Sequence, residues 1–211
     1  MARGRFITLE GGEGTGKSTL AAGLEEALGQ RSISVERTRE PGGTPGAEEI
    51  RKLLVEGAGD RWTATSEALL FFAARHDHVE RRIKPALDAG RWVICDRFFD
   101  STTAYQGAAG GLDGETLDQL RRLTLGDFTP DLTLILDLDP EAGLVRAGSR
   151  GGGEQRFEGK GLSFHQRLRQ GFLDIARAEP ERCAVIDAGQ PAEQVLASAL
   201  AVIEQRLGWP Q

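Results

Sequence analysis

Short apolar runs rich in β-branched residues recur along the chain and alternate with longer stretches of mixed polarity. They predict strands at residues 5–10, 34–39, 92–96, 132–137 and 183–187. The runs ITL, WVIC and LILDL are almost continuously apolar, which is typical of strands that are buried on both faces of a parallel sheet.

Apolar residues at helical spacing occupy the intervals between these runs. They predict helices at residues 17–30, 65–89, 114–125, 140–147, 163–178 and 191–207. Strands that alternate with helices indicate right-handed crossovers and a three-layer α/β sandwich, with helices on both faces of the sheet. Glycine clusters at 11–16, 42–46, 107–114 and 148–161 predict loops, the last of them a charged surface flap. We expect one domain over residues 1–211.

Composition and charge narrow the classes of function. The 211 residues carry a net charge of -6, which argues against general binding of nucleic acid or membrane surfaces. Any anionic ligand must therefore be bound by arginines that lie close to it. The distant Cys95 and Cys183 suit neither a disulfide framework nor a zinc site and favour a reducing cytoplasm. No signal segment and no apolar run of membrane-spanning length is recognised.

The stretch GGEGTGKST satisfies the phosphate-binding P-loop pattern and stands between a predicted strand and a predicted helix, as the motif requires. Its candidate nucleotide-binding residues are Gly11, Gly12, Glu13, Gly14, Thr15, Gly16, Lys17, Ser18 and Thr19. Lys17 is expected to reach the β- and γ-phosphates, and Ser18 to offer its hydroxyl to Mg²⁺. Glu13 is unexpected, because its negative charge would repel phosphate.

The P-loop alone does not define a reaction. A guanine-specific switch protein would need an Asn-Lys-x-Asp signature, and the chain contains no asparagine. Asp96 and Arg97 stand at the carboxyl end of a predicted strand, the sheet edge where α/β proteins bind ligands. The guanidinium of Arg97 suits a second phosphate, and Asp96 can order the water shell of Mg²⁺.

Longer motifs resemble one family closely. Residues 96–106 (DRFFDSTTAYQ), 38–44 (TREPGGT), 70–75 (LFFAAR) and 126–132 (GDFTPDL) are similar in order and spacing to segments of thymidylate kinases. The resemblance covers essentially the whole chain. It implies the P-loop nucleoside-monophosphate-kinase fold with strand order 2-3-1-4-5, transfer of phosphate from ATP to dTMP for dTTP synthesis, and a homodimer.

The resemblance also implies roles for residues. Phe71 would stack on thymine, and Arg75 would bind its O4 edge. Ser101, with Gln106 nearby, would contact the polar edge of the base or a water molecule there. Tyr105 would lie against the sugar C2′, and Arg97 and Arg39 would bind the acceptor phosphate. The segment from Glu40 and Pro41 to Gly43 would form the pocket wall. Glu13 would contact the 3′-hydroxyl and the water shell of Mg²⁺. We expect Phe72 and Cys95 to be core residues, and His76 and His78 to lie on a solvated helix face.

Some thymidylate kinases carry an arginine in the P-loop directly after its acidic residue, and others carry it in the lid. Gly14 occupies the P-loop position here, so the chain resembles the bacterial lid-arginine type. The candidates are Arg156, and next Arg150, in a lid at about residues 148–162. A different deoxynucleotide or deoxynucleoside kinase, or a nucleotide-binding protein without turnover, remains an alternative.

Overall fold

A computed structural model describes residues 3–56, 61–148 and 159–209. Five parallel strands form one sheet in the order β2-β3-β1-β4-β5, which confirms the expected topology. The strands are β1 (Phe6–Glu10), β2 (Val35–Arg39), β3 (Trp92–Asp96), β4 (Leu132–Asp137) and β5 (Cys183–Asp187). The last three match the predicted bounds, and β1 and β2 each begin one residue later than predicted.

The helices surround this sheet. They are α1 (Lys17–Gly29), α2 (Pro45–Val55), α3 (Ala64–His78), α4 (Lys84–Asp88), α5 (Phe99–Thr102), α6 (Gly114–Leu125), α7 (Pro140–Gly148), α8 (Leu162–Ala178) and α9 (Ala192–Leu207). π-Helical turns at Val79–Ile83 and Thr103–Ala109 join α3 to α4 and extend α5. No helix within these described ranges has both the length and the apolar character needed to cross a bilayer.

Two parts of the helix prediction were wrong. The glycine cluster at 42–46 suggested only a loop, yet Pro45–Val55 is helical. The start signals are present: the Thr44 side chain accepts a hydrogen bond from the Ala47 N–H, and Pro45 takes the first helical position. The helix at 99–109 was also missed, because seven of its residues form a π-helical turn with no simple 3.6-residue pattern.

The core consists of two apolar layers on opposite faces of the sheet. Successive residues of a strand point to opposite faces, so Trp92 and Ile94 pack on the α1 and α9 side while Val93 and Cys95 pack on the α3 and α6 side. Phe72 lies in the second layer with Cys95, and the expected core positions of both residues are confirmed. The helices on both faces produce the predicted three-layer sandwich.

Strand order brings the chemically important segments together. β1 lies between β3 and β4, with Leu9 opposite Asp96 in the register. The P-loop therefore leaves the sheet beside the residues that follow β3, and Arg39 of β2 is also aligned with Asp96. Three sequence motifs that are far apart along the chain meet at the carboxyl edge of the sheet.

Candidate active site

The P-loop curls around its own lysine. Gly16, at φ 90°, precedes the first residue of α1, and the Lys17 ammonium donates to the carbonyl oxygens of Gly11 (3.0 Å) and Gly12 (2.8 Å). Burial lowers the pKa of Lys17 to about 8, and the nearby positive charge of Arg97 contributes to the shift. A bound anion would favour the charged lysine. The helix N-terminus and loop amides are suited to phosphate.

Both the backbone conformation and the close neighbours of Gly14 require glycine at position 14. It has φ 69°, and a Cβ atom there would lie 1.9 Å from the carbonyl oxygen of Gly143 in α7. Conversely, a Cβ atom on Gly143 would lie 2.5 Å from the carbonyl oxygen of Glu13. The P-loop and α7 thus pack backbone to backbone, and this contact leaves no room for an arginine after Glu13.

Ser18 and Asp96 provide an oxygen pair beside the P-loop. The Ser18 hydroxyl donates to the Asp96 carboxylate over 2.9 Å, although the two residues lie 78 positions apart. A hydroxyl and a carboxylate both provide oxygen ligands, which Mg²⁺ prefers. The residues present therefore fit a hydrated magnesium ion.

Next to the P-loop lies a cavity that unites most of the expected substrate-binding residues. Its lining consists of Glu13, Glu40, Pro41, Phe71, Arg75, Arg97, Ser101, Thr102, Tyr105 and Gln106. Arg39 is not part of this lining. It lies on the exposed surface beside Ser18 and Asp96, and its guanidinium pairs with Glu48 at 3.2 Å.

Glu13 lines this cavity, and its carboxylate is bound there by Arg97 and Tyr105. One carboxylate oxygen accepts hydrogen bonds from Arg97 at 3.1 Å and from the Tyr105 hydroxyl at 2.5 Å. Burial by itself would raise the pKa of Glu13, but the positive charges of Arg97 and Lys17 and the Tyr105 hydrogen bond outweigh it and lower the pKa. Glu13 is therefore a carboxylate that is held by acceptor-side residues.

Arg97 is fixed at several points. Its guanidinium also contacts the Gly11 carbonyl and the Ser101 hydroxyl, both at 3.2 Å, and it lies 4.9 Å above the ring of Tyr105. Its backbone has φ 72°, in the left-handed region that non-glycine residues seldom adopt. Strain of this kind is found at sites where a side chain has to be placed in one position.

Arg75 is almost fully buried, and its guanidinium has three partners. Its Nε donates to Glu40 at 2.6 Å, and its Nη2 donates to the Phe98 carbonyl at 3.0 Å and to Thr102 at 3.1 Å. Nη1 has no hydrogen-bond partner among the described residues. A buried donor without a partner is costly, so Arg75 is equipped to bind an acceptor atom of a ligand.

Ser101 and Gln106 line the cavity but already have protein partners. The Ser101 hydroxyl donates to Glu10 at 2.6 Å, and the Gln106 amide donates to Glu67 at 2.7 Å. Glu10 is a fully buried carboxylate that no sequence motif identified, and it also accepts a hydrogen bond from the Phe98 backbone N–H at 2.7 Å. Its signal was a charged residue that ends a mostly apolar central strand, immediately before the P-loop.

His78 corrects the prediction of a solvated helix face. It has no exposed surface, whereas His76 is exposed and its ring contacts the Thr124 carbonyl. His78 lies one helical turn from Arg75, at the i, i+3 spacing that places both side chains on one face. That spacing was the signal in the sequence. Arg150 and Arg156 lie outside the described residues.

The site thus has two adjoining parts. The P-loop and the Ser18–Asp96 pair suit a nucleoside triphosphate with Mg²⁺, and the neighbouring cavity offers an aromatic ring, a buried arginine donor and the Arg97 guanidinium. Such an arrangement defines a P-loop phosphotransferase that acts between two phosphate-bearing ligands.

Comparison with known proteins assigns the family. A family model described as thymidylate kinase matches residues 9–199. Thymidylate kinases of Magnetococcus marinus and Caulobacter vibrioides are each 55% identical, over 97% and 99% of this chain and 97% and 100% of their own lengths. The crystal structure of thymidylate kinase from Ehrlichia chaffeensis superposes with a TM-score of 0.79 at 36% identity, covering 95% of this chain and 99% of that one. The chain belongs to the thymidylate kinase family.

Glu10 generates a prediction about stability. Burial, followed by the negative charge of Asp100, raises the pKa of Glu10 to about 8. The folded protein therefore holds a proton that the unfolded chain releases near the ordinary pKa of 4.5, and the stability due to this proton is lost as the pH rises through 8. In wild type, this group lowers the free energy of unfolding by at most about 1.4 kcal/mol for each unit of rising pH. We expect the Glu10→Gln variant to show no such decline.

Urea denaturation of both proteins between pH 5 and pH 9, at steps of about one unit, checks this expectation. Wild type should lose stability relative to Glu10→Gln between pH 5 and about 8, and the difference should then stay constant up to pH 9. Parallel stability curves for the two proteins would contradict the assigned protonation of Glu10.

Proposed function

We propose that the chain transfers the γ-phosphoryl group of ATP to dTMP and so forms dTDP and ADP. The observation that carries this proposal is the cavity beside the P-loop, in which Phe71, Arg75 and Arg97 lie together. Membership of the thymidylate kinase family supports it. The acceptor oxygen is already anionic, so the reaction requires positioning and charge neutralisation more than acid–base catalysis.

In the acceptor site, Phe71 stacks on thymine and contributes about 1–3 kcal/mol without selecting the base. Arg75 supplies the selection, because its Nη1 donor matches the O4 acceptor of thymine and not the amino group of cytosine. Tyr105 lies beside the sugar. Arg97, which reaches both Glu13 and Ser101, binds the acceptor phosphate.

In the donor site, the loop amides and Lys17 bind the ATP phosphates. The adjoining concave surface includes Thr15, Arg146, Gln190 and Val195, and we assign the base and sugar of ATP to it. Ser18 and Asp96 would hold Mg²⁺ directly and through water, respectively. When bound, the ion neutralises charge on the phosphates. Arg39, exposed next to Asp96, provides a further positive charge at this edge.

The lid-arginine assignment rests on Gly14, since the contact with Gly143 leaves no space for an arginine there. We propose a lid at about residues 148–162, within a single kinase domain, with Arg156 nearest the transferred group and Arg150 next.

Arg156→Ala should lower kcat strongly, by about a hundredfold, with little change in KM for dTMP. A kcat within about threefold of wild type would contradict this assignment.

We further propose that the chain forms a homodimer and functions in the cytoplasm. Leu69 on α3 and Leu123 on α6 are 51% and 82% exposed, on helices that pack against each other. Apolar side chains on adjoining helices suit an interface with a second copy. Sedimentation equilibrium of the full chain tests the dimer.

The buried free thiols of Cys95 and Cys183 suit the reducing compartment that we propose.

The substrate assignment is tested by comparing dTMP, dUMP, dCMP, dGMP and thymidine as acceptors, with ATP as the donor. We expect kcat/KM for dTMP to exceed that for dCMP, whose amino group does not match Arg75, and that for thymidine, which has no phosphate for Arg97. Turnover of thymidine without turnover of dTMP would identify a deoxynucleoside kinase. Absence of turnover with every acceptor would favour a nucleotide-binding protein.

Glu13 provides a separate prediction. Glu13→Gln removes the charge that holds Arg97 and Tyr105, so kcat/KM for dTMP should fall by about 10- to 100-fold. The dissociation constant of ATP, measured by titration calorimetry, should change by less than about threefold. Glu26→Gln, an equal charge change on the exposed surface of α1, is the matched control. Equal losses for dTMP and ATP would make Glu13 a residue that only shapes the loop.

A further inference from the structure

A chain of buried hydrogen bonds leads from the TREPGGT segment to Arg75. Thr38 contacts His78 at 2.7 Å, His78 contacts Glu40 at 3.1 Å, and Glu40 pairs with Arg75 at 2.6 Å. We name these four residues the Arg75 relay. All four are buried, His78 completely. None of the steps of phosphoryl transfer requires His78, so its burial at this position calls for another explanation.

The direction of the hydrogen bonds follows from the partners. The Glu40 carboxylate can only accept, and one of its oxygens is already taken by Arg75. His78 must therefore donate from Nδ1 to the other oxygen, and its Nε2 is paired with the Thr38 hydroxyl. His78 thus anchors the second oxygen of Glu40, and Glu40 in turn fixes the Nε edge of Arg75.

Gly43 shows that the loop is built around this relay. It has φ 91°, and a Cβ atom there would lie 2.4 Å from His78 Nε2 and 2.8 Å from the Thr38 hydroxyl. The second glycine of the PGG segment therefore leaves the space in which Thr38 and His78 meet. Any side chain at this position would displace His78 and with it the support of Glu40.

A metal site is the competing interpretation, because ligand atoms of Glu40, His78 and Cys95 lie within 4.8 Å of one another. These atoms are already used. Both imidazole nitrogens and both Glu40 oxygens have the partners named above, and the Cys95 thiol donates to the Arg97 carbonyl at 3.1 Å. Burial also raises the pKa of the Cys95 thiol well above its ordinary value, which opposes the thiolate that a metal needs.

We propose that His78, acting through Glu40, is a positioning residue that sets the orientation of Arg75 and so controls discrimination between thymine and cytosine. The inference rests on the proposed role of Arg75 as the residue that reads the base. Without His78, one Glu40 oxygen loses its donor and Glu40 and Arg75 can shift together. A guanidinium that can move away no longer rejects the cytosine amino group, so selectivity should fall more than overall activity.

The test compares kcat/KM for dTMP, dCMP and dUMP in wild type and in His78→Leu. The dTMP-to-dCMP ratio should fall by about tenfold or more in the variant, and KM for ATP should stay within about twofold. The dTMP-to-dUMP ratio should be unchanged, because both bases present O4 to Arg75. If dCMP is turned over too slowly to measure, the inhibition constant of dCMP against dTMP turnover is compared between the two proteins instead.

Three further variants isolate the cause. His78→Asn keeps a donor near the Nδ1 position and should restore the dTMP-to-dCMP ratio to within about threefold of wild type. Thr38→Val removes only the hydrogen bond to Nε2 and should lower the ratio by about threefold, even if His78→Leu does not fold. His76→Leu removes the exposed histidine of the same helix and is the matched control, with no expected effect.

The outcomes separate the relay from the base-reading role on which it rests. An unchanged dTMP-to-dCMP ratio in His78→Leu, or equal losses on all three acceptors, would overturn the relay. If Arg75→Gln also left the ratio unchanged, the assignment of Arg75 to the base would fail as well. A ratio that falls in Arg75→Gln but not in the His78 and Thr38 variants would reject the relay alone.

Discussion

The contact between Arg97 and Glu13 joins the two halves of the site. Glu13 belongs to the P-loop and Arg97 follows β3, and they meet because β1 and β3 are neighbours in the sheet. Two anionic ligands at one sheet edge repel each other, so cations have to be held between them. Arg97 contacts the P-loop carbonyl of Gly11 and Ser101 of the acceptor cavity at the same time, which places a positive charge at that boundary.

Carboxylates govern the positions of these arginines, and each does so in a different way. Glu13 is kept ionised by the cations around it and holds Arg97 from the loop side. Glu10 lies below the same segment, where burial favours its protonated form, and it accepts hydrogen bonds from the residues that follow Arg97. Glu40 forms a buried pair with Arg75. A chain with net charge -6 thus presents organised positive charge at one edge.

Sequence reasoning located the site residues better than it located their partners. Phe71, Arg75, Arg97 and Tyr105 could be placed in one cavity because their motifs resemble a known family, and the structure brings them together. Arg39 came from the same reasoning, yet its side chain turns toward Glu48. A motif states which residue is present, whereas the direction of a long exposed side chain depends on local charges that the motif does not contain.

The amino-acid sequence by itself determined the strands, the strand-to-helix context of the P-loop and the family motifs, because these depend on local periodicity and on residue identity. Only the tertiary structure decided that His78 is buried, that Glu10 lies beneath Ser101 and that Gly14 packs on Gly143. Each of these contacts joins segments that are distant along the chain. Whether such a residue faces water or a buried partner follows from how the helices and loops pack against the sheet, which no local pattern specifies.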